Sequence, residues 1–202
     1  TGYDEYVYKI HDELSTGLDF VNDANGTALG TDATTVKVTV AFKNATDAGT
    51  APTEATLATD NSKKMSLDLS TWVRDNQTNK GKEFTVTYYA KVNKDAVVTN
   101  NNQASLEYGN KPGDTTTTTP SEAKTNTYPL DIKKINKKTS GLLAGAKFSL
   151  YRTEQDAKDK TNAITVSGSN GNYVVDPAFT TTEFESVEND LGGYNLRVNG
   201  LE

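Results

Sequence analysis

Hydrophobic and polar residues alternate with a period of two along several short stretches of the chain. The clearest stretch is 36–42, where Val36, Val38 and Val40 share one face while Lys37 and Thr39 share the other. This pattern is typical of a β-strand with one buried and one solvated side. Similar runs predict strands at 6–12, 65–73, 84–92, 103–108, 130–135, 146–151, 172–175 and 194–198, and only 154–158 is predicted to be helical.

A segment without apolar periodicity separates two groups of predicted strands. Residues 114–127 contain a run of five threonines and Pro120, a composition typical of a linker or a long surface loop. The sequence therefore predicts an all-β protein with two β-sandwich domains in tandem, at 1–127 and 128–202. We expect the second domain to be incomplete, because fewer strands follow residue 128 than the roughly seven of such a sandwich.

Composition narrows the possible functions. The chain has 27 acidic and 21 basic residues in 202, a net charge of −6, and no basic block, which argues against a nucleic-acid partner. No stretch approaches the roughly 20 apolar residues that span a bilayer. Cysteine is absent and His11 is the single histidine, and the glycine motifs of serine hydrolases and nucleotide-binding proteins are missing. We therefore expect no cofactor, no metal site and no enzyme acting on an external substrate.

Three polar residues fall on apolar faces of the predicted strands. Asp12 shares the face of Ile10, Asn102 shares the face of Leu106, and Lys134 shares the face of the apolar residues that precede it. A lone buried charge costs several kcal/mol unless it is paired or neutralised. Two interpretations are open: each residue lies at a strand end in solvent, or the three types of side chain face a core for a chemical reason.

The second interpretation predicts a covalent cross-link. Burial lowers the pKa of a lysine and raises that of a neighbouring carboxylic acid, so the neutral amine is a nucleophile. The protonated acid then hydrogen-bonds an asparagine carbonyl and stabilises the oxyanion of the tetrahedral intermediate. Ammonia leaves and a lysine–asparagine isopeptide bond remains. In a chain without cysteine, such a bond would link distant strands as a disulfide does.

The residues around these positions resemble a known family. Residues 8–18 (YKIHDELSTGL) resemble the opening of the middle domain of Gram-positive backbone pilins, and residues 84–92 and 102–110 resemble its closing strands. Residues 130–136 (LDIKKIN) and 141–151 (GLLAGAKFSLY) resemble the start of a collagen-adhesin B-type domain. The resemblance implies Ig-like β-sandwiches and a shaft subunit of a sortase-assembled pilus, locked by internal isopeptide bonds.

The resemblance also implies roles for individual residues. Asp12 matches the catalytic acid of the middle domain, Asn102 matches its bond-forming amide, and Lys134 matches the bond lysine of the second domain. Asn110 and Lys133 are the second choices. The lysine partner of Asn102 is expected upstream of the first residue, and the glutamate and asparagine of the second domain are expected beyond the last, so the sequence is expected to be a fragment of the subunit.

The expected partners and location follow from the family. They are other pilin subunits in a head-to-tail polymer, the sortase that joins them, and host extracellular matrix, on an extracellular, cell-wall-anchored pilus. The only chemistry expected of the chain is its own autocatalytic bond formation. An alternative stays open, in which the two domains are the stalk or binding domains of a cell-wall-anchored adhesin that recognises a host protein or glycan.

Overall fold

The structure, a computed structural model, describes residues 7–43, 50–97, 99–111 and 113–202, without the side chains of residues 99, 110 and 111. The chain divides into two compact units. The first is built from the described parts of Thr1–Lys91 and Asn101–Lys124, and the second from those of Val92–Asn100 and Thr125–Glu202. No helix among the described residues is long and apolar enough to span a membrane.

The larger sheet of the first unit has seven strands. Six of them follow the order β10-β9-β1-β6-β5-β3, and β11 also pairs with β9. Their bounds are β1 (Tyr8–Leu14), β3 (Thr35–Lys37), β5 (Glu54–Leu57), β6 (Lys64–Asp68), β9 (Thr99–Lys111), β10 (Asp114–Thr117) and β11 (Ser121–Asn126).

Two short ribbons complete the first unit. β2 (Leu18–Val21) pairs with β8 (Tyr89–Val92), and β4 (Thr39–Phe42) pairs with β7 (Phe84–Thr87). The predicted strands 36–42 and 84–92 are thus each divided, at Val38 and at Tyr88, while their alternation continues. Val36, Val38 and Val40 are all buried, because the inward face of the chain is kept as it passes from one pairing partner to the next.

Two sequence predictions in the first unit are wrong. The strand predicted at 65–73 ends at Asp68, and Ser70–Asp75 form helix α1, followed by one 3-10 turn at Gln77–Asn79. The Asp68 carboxylate accepts hydrogen bonds from the Ser70 backbone N–H at 2.9 Å and from its hydroxyl at 2.5 Å, which turns the chain out of the strand. Trp72 on this helix is buried and stacks on Phe42, with ring centroids 4.6 Å apart.

The segment predicted as a linker or loop, 114–127, contains β10 and β11 instead. The side chains of β10 are exposed, so strand formation there depends on backbone pairing and leaves no apolar alternation in the sequence. Thr118 illustrates this pairing, since its backbone N–H donates to the Leu106 carbonyl at 2.9 Å and its hydroxyl accepts from the Leu106 N–H at 3.0 Å. Threonine is also common in strands because it is β-branched.

The second unit has a four-stranded sheet in the order β12-β17-β15-β14 and a ribbon of β13 and β16. Its core consists of Val166, Phe184, Leu196 and Val198. The helix α2 begins after Thr153, whose hydroxyl accepts from the Asp156 N–H at 3.1 Å, and confirms the prediction at 154–158. The bounds are β12 (Tyr128–Ile132), β13 (Lys147–Phe148), α2 (Glu154–Asp159), β14 (Val166–Ser169), β15 (Asn172–Val175), β16 (Phe184–Glu185) and β17 (Leu196–Leu201).

The all-β fold class is confirmed: strands far outnumber helices in the described parts of both units and are arranged in several sheets. In the first unit the ribbons face the larger sheet, as the contact between Phe84 of β7 and Tyr8 of β1 illustrates, with ring centroids 6.2 Å apart. This packing creates the interior in which Asp12 and Asn102 lie.

Candidate functional site

The register of the larger sheet brings the predicted acid and amide together. β1 and β9 are antiparallel, with Asp12 opposite Ala104 and Leu14 opposite Asn102. Residues directly opposite in an antiparallel pair point to the same face, so Asp12 and Asn102 are diagonal neighbours on one face. Leu14 is buried beside them, which identifies this face as the inward one.

Tyr88 is a third polar residue at this site, and the sequence analysis missed it. It lies where the chain passes from β7 to β8, and its hydroxyl donates a short hydrogen bond to Oδ2 of Asp12. The same hydroxyl accepts a longer one, of 3.4 Å, from Nδ2 of Asn102. Its ring packs against Phe20, with centroids 6.0 Å apart. The sequence signal was its parity, because Tyr88 shares the inward face of Phe84 and therefore carries a hydroxyl into the core.

The Asp12 carboxyl is almost completely removed from solvent, with 2% of the residue exposed. Burial raises its pKa above the usual value, although the side-chain bonds with Tyr88 and Asn102 act in the opposite direction. The pKa of the Tyr88 phenol is also raised, first by burial and then by its bond to Asp12. Both groups are therefore biased towards their neutral, protonated forms.

Two buried oxygen atoms at the site lack a hydrogen-bond partner within the described part of the chain. They are Oδ1 of Asp12 and Oδ1 of Asn102. A buried polar atom without a partner costs about 1–3 kcal/mol, and such atoms in native proteins often mark reactive positions. A carboxyl proton on Oδ1 of Asp12 would be the donor that both oxygens lack.

Lysines near Asp12 in the sequence or in space are engaged elsewhere. Lys9 is directed to the other face of β1 by the strand alternation, and its amine lies 4.0 Å from the carboxylate of Asp68. The amine of Lys63 donates to the Leu18 carbonyl at 2.5 Å and forms an ion pair with Asp19. Neither lysine is placed as a nucleophile for Asn102.

The predicted lysines of the second unit follow β12. Lys134 is half-buried and Lys133 is exposed. The backbone N–H of Lys134 donates to Oδ1 of Asn195 at 2.7 Å, and its carbonyl accepts from Nδ2 of Asn195 at 3.1 Å. Lys133 lies near Asp190, whose pKa is lowered chiefly by backbone N–H groups of the following turn and to a smaller degree by this lysine.

Asn195 is a second residue that the sequence analysis missed. It is completely buried, and besides its two bonds to Lys134 its Nδ2 donates to the carbonyls of Leu143 at 3.2 Å and Val187 at 2.9 Å. The polar atoms of this amide are fully used. No pattern in the sequence marks it, since it precedes β17 in a polar stretch. Asn110, the second choice for the amide of the first unit, has its side chain outside the described residues.

The outer face of the larger sheet carries a serine–histidine–glutamate chain. Nδ1 of His11 lies 2.7 Å from the Ser66 hydroxyl, and Nε2 lies 2.7 Å from the Glu107 carboxylate. Serine hydrolases also need backbone or side-chain donors for the oxyanion. The three residues lie on β6, β1 and β9, inside the sheet, where backbone N–H groups are used in strand pairing. We therefore interpret this chain of contacts as cross-strand stabilisation.

Comparison with known proteins finds similarity among solved structures. The backbone protein of group B streptococcus pilus 2b is 18% identical over 98% of this chain and 68% of that one, with a TM-score of 0.49. The major pilin subunit BcpA of Bacillus cereus is 17% identical over 98% of this chain and 46% of that one, with a TM-score of 0.48. Domains D2 and D3 of the major pilin SpaD of Corynebacterium diphtheriae are 21% identical over 72% of this chain and 48% of that one, with a TM-score of 0.44.

No protein-family model matches the sequence, and no curated protein matches it either. The chain spans about half the length of the SpaD and BcpA chains to which it is similar. All three of these structures are of major pilin or pilus backbone proteins. The resemblance expected from the sequence motifs is therefore found among solved structures as well.

Proposed function

We propose that this chain is part of a structural subunit of a covalent cell-surface pilus shaft, whose domains are stabilised by autocatalytic lysine–asparagine isopeptide bonds. The observation that carries the proposal is that Asp12 and Asn102 lie side by side in the interior, where one carboxyl oxygen and the amide oxygen both lack a donor among the described residues. A purely structural pair would be expected to satisfy its buried polar atoms.

The proposed reaction uses Asp12 in its protonated form. Its proton, shared with Oδ1 of Asn102, polarises the amide carbonyl and supports the negative charge that develops when a lysine amine attacks Cγ. The raised pKa of Asp12 supports this role, since the acid is then neutral in a larger fraction of molecules. The attacking lysine is expected to come from a strand upstream of Thr1.

Lys134 is the proposed bond lysine of the second unit, with Lys133 as the alternative. Lys134 is half-buried and continues the inward parity of Ile132, which packs against the core of this unit. Its backbone is bound to Asn195, which would hold the start of the side chain in place. Asn195 itself is a poor electrophile for the bond, because its oxygen and nitrogen already have strong partners, so a different asparagine is expected to react.

Sortase and neighbouring subunits are the proposed partners, and the cell-wall-anchored pilus outside the cell is the proposed location. The similarity to major pilins supports the fold on which this proposal rests. In this proposal the chain is a substrate of sortase and not an enzyme itself. The only reaction that it catalyses is the formation of its own cross-links.

The test is a measurement of intact mass. The chain is expressed with the residues that its gene encodes before Thr1, and the folded protein is expected to be lighter than its sequence by one ammonia. Asp12→Ala and Asn102→Ala should each restore the full sequence mass. Peptide mapping should show Asn102 joined to an upstream lysine. The cross-linked protein should also melt higher than either variant, since closed loops of comparable span stabilise by roughly 2–5 kcal/mol in disulfides.

Three results would contradict parts of this proposal. Full sequence mass in the extended protein would exclude a completed bond. Loss of ammonia in Asn102→Ala would assign the amide to another residue, with Asn110 as the next candidate. Normal loss of ammonia in Asp12→Ala would remove the buried acid from the mechanism.

A further inference from the structure

We propose that Tyr88 is a catalytic residue of cross-link formation in the first unit, where it passes a proton to the departing amide nitrogen of Asn102. This inference rests on the proposed function and assigns a role to a residue outside the acid, amide and lysine that the reaction requires. Tyr88 is chosen because it contacts both other groups of the site and comes from a different layer of the fold.

The position of the phenol supports this role. Its oxygen is hydrogen-bonded to Oδ2 of Asp12 on one side and lies 3.4 Å from Nδ2 of Asn102 on the other. Nδ2 is the atom that must leave as ammonia. The ring is held by Phe20, and the backbone is held between β7 and β8, each of which pairs with a different strand.

The contacts also orient the amide. Because the phenol oxygen accepts from Nδ2, the nitrogen end of the Asn102 side chain is directed towards Tyr88. Within the part of the chain that the structure describes, the oxygen end has no partner, and neither has Oδ1 of Asp12. A proton on that carboxyl oxygen would complete a closed ring of hydrogen bonds through the carboxyl, the phenol and the amide. In this ring the carbonyl is polarised, and the nitrogen that must leave already contacts the phenol that is to protonate it.

The proton balance of the reaction needs such a donor. The lysine nitrogen forms a bond to Cγ of Asn102, the bond from Cγ to Nδ2 breaks, and Nδ2 must gain one proton to leave as ammonia. The lysine nitrogen must lose one proton to become the new amide. In the proposed relay, the Asp12 proton supports the oxyanion from Oδ1 during the attack and is then carried on Oδ2, the oxygen that faces the phenol. Tyr88 turns its hydroxyl from Oδ2 to Nδ2, gives its proton to Nδ2 and receives the proton of Oδ2 in exchange. The surplus proton of the lysine nitrogen then returns to Asp12, so both groups end as they began.

The experiment follows the rate of the mass change. Protein with the residues encoded before Thr1 is purified unfolded in denaturant, where full sequence mass identifies unreacted chains, and is refolded by dilution. Tyr88→Phe keeps the ring and removes the hydroxyl. Because general acid–base groups contribute about 10²–10⁴-fold to rates, we expect this variant to lose ammonia about a hundredfold more slowly or worse. Tyr89→Phe is the matched control, since Tyr89 is 41% exposed, and it should react at the rate of the unchanged protein.

The pH profile separates catalysis from packing. The reaction needs protonated Asp12, so its rate falls when the pH rises through the pKa of that acid. The hydrogen bond from Tyr88 lowers this pKa, so its loss in Tyr88→Phe should move the falling limb to higher pH while the maximum rate decreases. If Tyr88 only filled space, its replacement would leave the pH at which the rate falls unchanged.

The outcomes distinguish this inference from the proposed function. If the unchanged protein loses ammonia and Tyr88→Phe does so at the same rate, the role of Tyr88 is wrong while the cross-link stands. A slower variant with an unmoved limb also overturns the relay, because the phenol would then act through packing alone. If the unchanged protein never loses ammonia, both the proposed function and this inference fail.

Discussion

The two units each contain an asparagine in their interior, and the two amides are used in opposite ways. Asn195 of the second unit is completely buried, and both of its polar atoms have partners. Asn102 of the first unit has a buried oxygen without a partner among the described residues, and its nitrogen donates a long hydrogen bond of 3.4 Å to Tyr88. The asparagine side chain thus stabilises the surrounding loops by hydrogen bonds in one unit, and in the other it contains an unsatisfied oxygen.

The local backbone explains the difference. Asn195 faces the backbone of Lys134, Leu143 and Val187, all of which lie outside the named strands. Backbone groups there lie outside a continuous strand ladder, so a side-chain amide helps to satisfy them. Asn102 lies within β9, whose backbone is already paired with β1, so only side chains are left as partners. Asp12 and Tyr88 are those side chains, and a carboxylate cannot donate to the amide oxygen unless it is protonated.

The largest effect is expected from Asn195→Ala. Truncation leaves the Lys134 N–H and the Val187 carbonyl without the partner that Asn195 supplies. The carbonyls of Lys134 and Leu143 keep their bonds from the Leu143 N–H and the Ser186 hydroxyl. Each unsatisfied buried group costs about 1–3 kcal/mol. We expect the free energy of unfolding of the second unit to fall by about 4 kcal/mol, measured by chemical denaturation. Asn189→Ala, at an exposed position, should change stability by less than about 0.5 kcal/mol. A loss below about 1 kcal/mol in Asn195→Ala would contradict the stabilising role of Asn195, and with it the contrast between the two amides.

The sequence predicted the pattern of the strands more accurately than their pairing. Alternation identified the inward faces of 36–42 and 84–92, because the period of two is preserved even where the chain changes partners. It could not place the divisions at Val38 and Tyr88, since those depend on which other strand is adjacent. It also missed β10 and β11, because exposed threonines on paired edge strands leave no apolar signal. The turn after Asp68 depended on the hydrogen bonds that its carboxylate accepts from Ser70.

For the site, parity correctly indicated that Asp12 faces inward, and the register of β1 with β9 brings Asn102 to the same face. Tyr88 could have been added from its parity with Phe84. Asn195 could not, because its role depends on three loop segments, two of which are distant in sequence. Partners of this kind are visible only when the tertiary structure is known. The roles of Asp12, Asn102 and Lys134 in bond formation stay predictions.

A second, smaller effect concerns the pH dependence of stability in the uncrosslinked 202-residue chain, recognised by its full sequence mass. Burial raises the pKa of Asp12 in the folded state above its unfolded value, so the folded state holds this proton more tightly. The resulting stability is present below the unfolded pKa and is lost as the pH rises through the folded pKa. One such group gives a slope of at most about 1.4 kcal/mol per pH unit.

Asp12→Asn removes this titration while keeping the shape of the side chain. The unchanged chain should therefore lose stability relative to Asp12→Asn as the pH is raised from about 4 towards neutrality, the range above the usual aspartate pKa. The difference between their free energies of unfolding should shift in favour of the variant over this range. Denaturation curves at a series of pH values measure the difference. Asp32→Asn, at an exposed position, is the matched control and should follow the unchanged chain. Parallel curves for Asp12→Asn and the unchanged chain would show that the carboxyl is not destabilised by burial.

The smallest effect is expected from Asn102→Ala in the same uncrosslinked chain. The substitution removes a long hydrogen bond to Tyr88, but it also removes a buried oxygen for which the described residues offer no partner, and the two changes act in opposite directions. We expect the free energy of unfolding to change by less than about 1 kcal/mol, measured by denaturation beside Asn195→Ala. A loss as large as that of Asn195→Ala would mean that Asn102 is a structural brace too. A small loss would show that the fold gains little from this amide, so that its place beside a buried acid needs a reason other than stability before the cross-link forms.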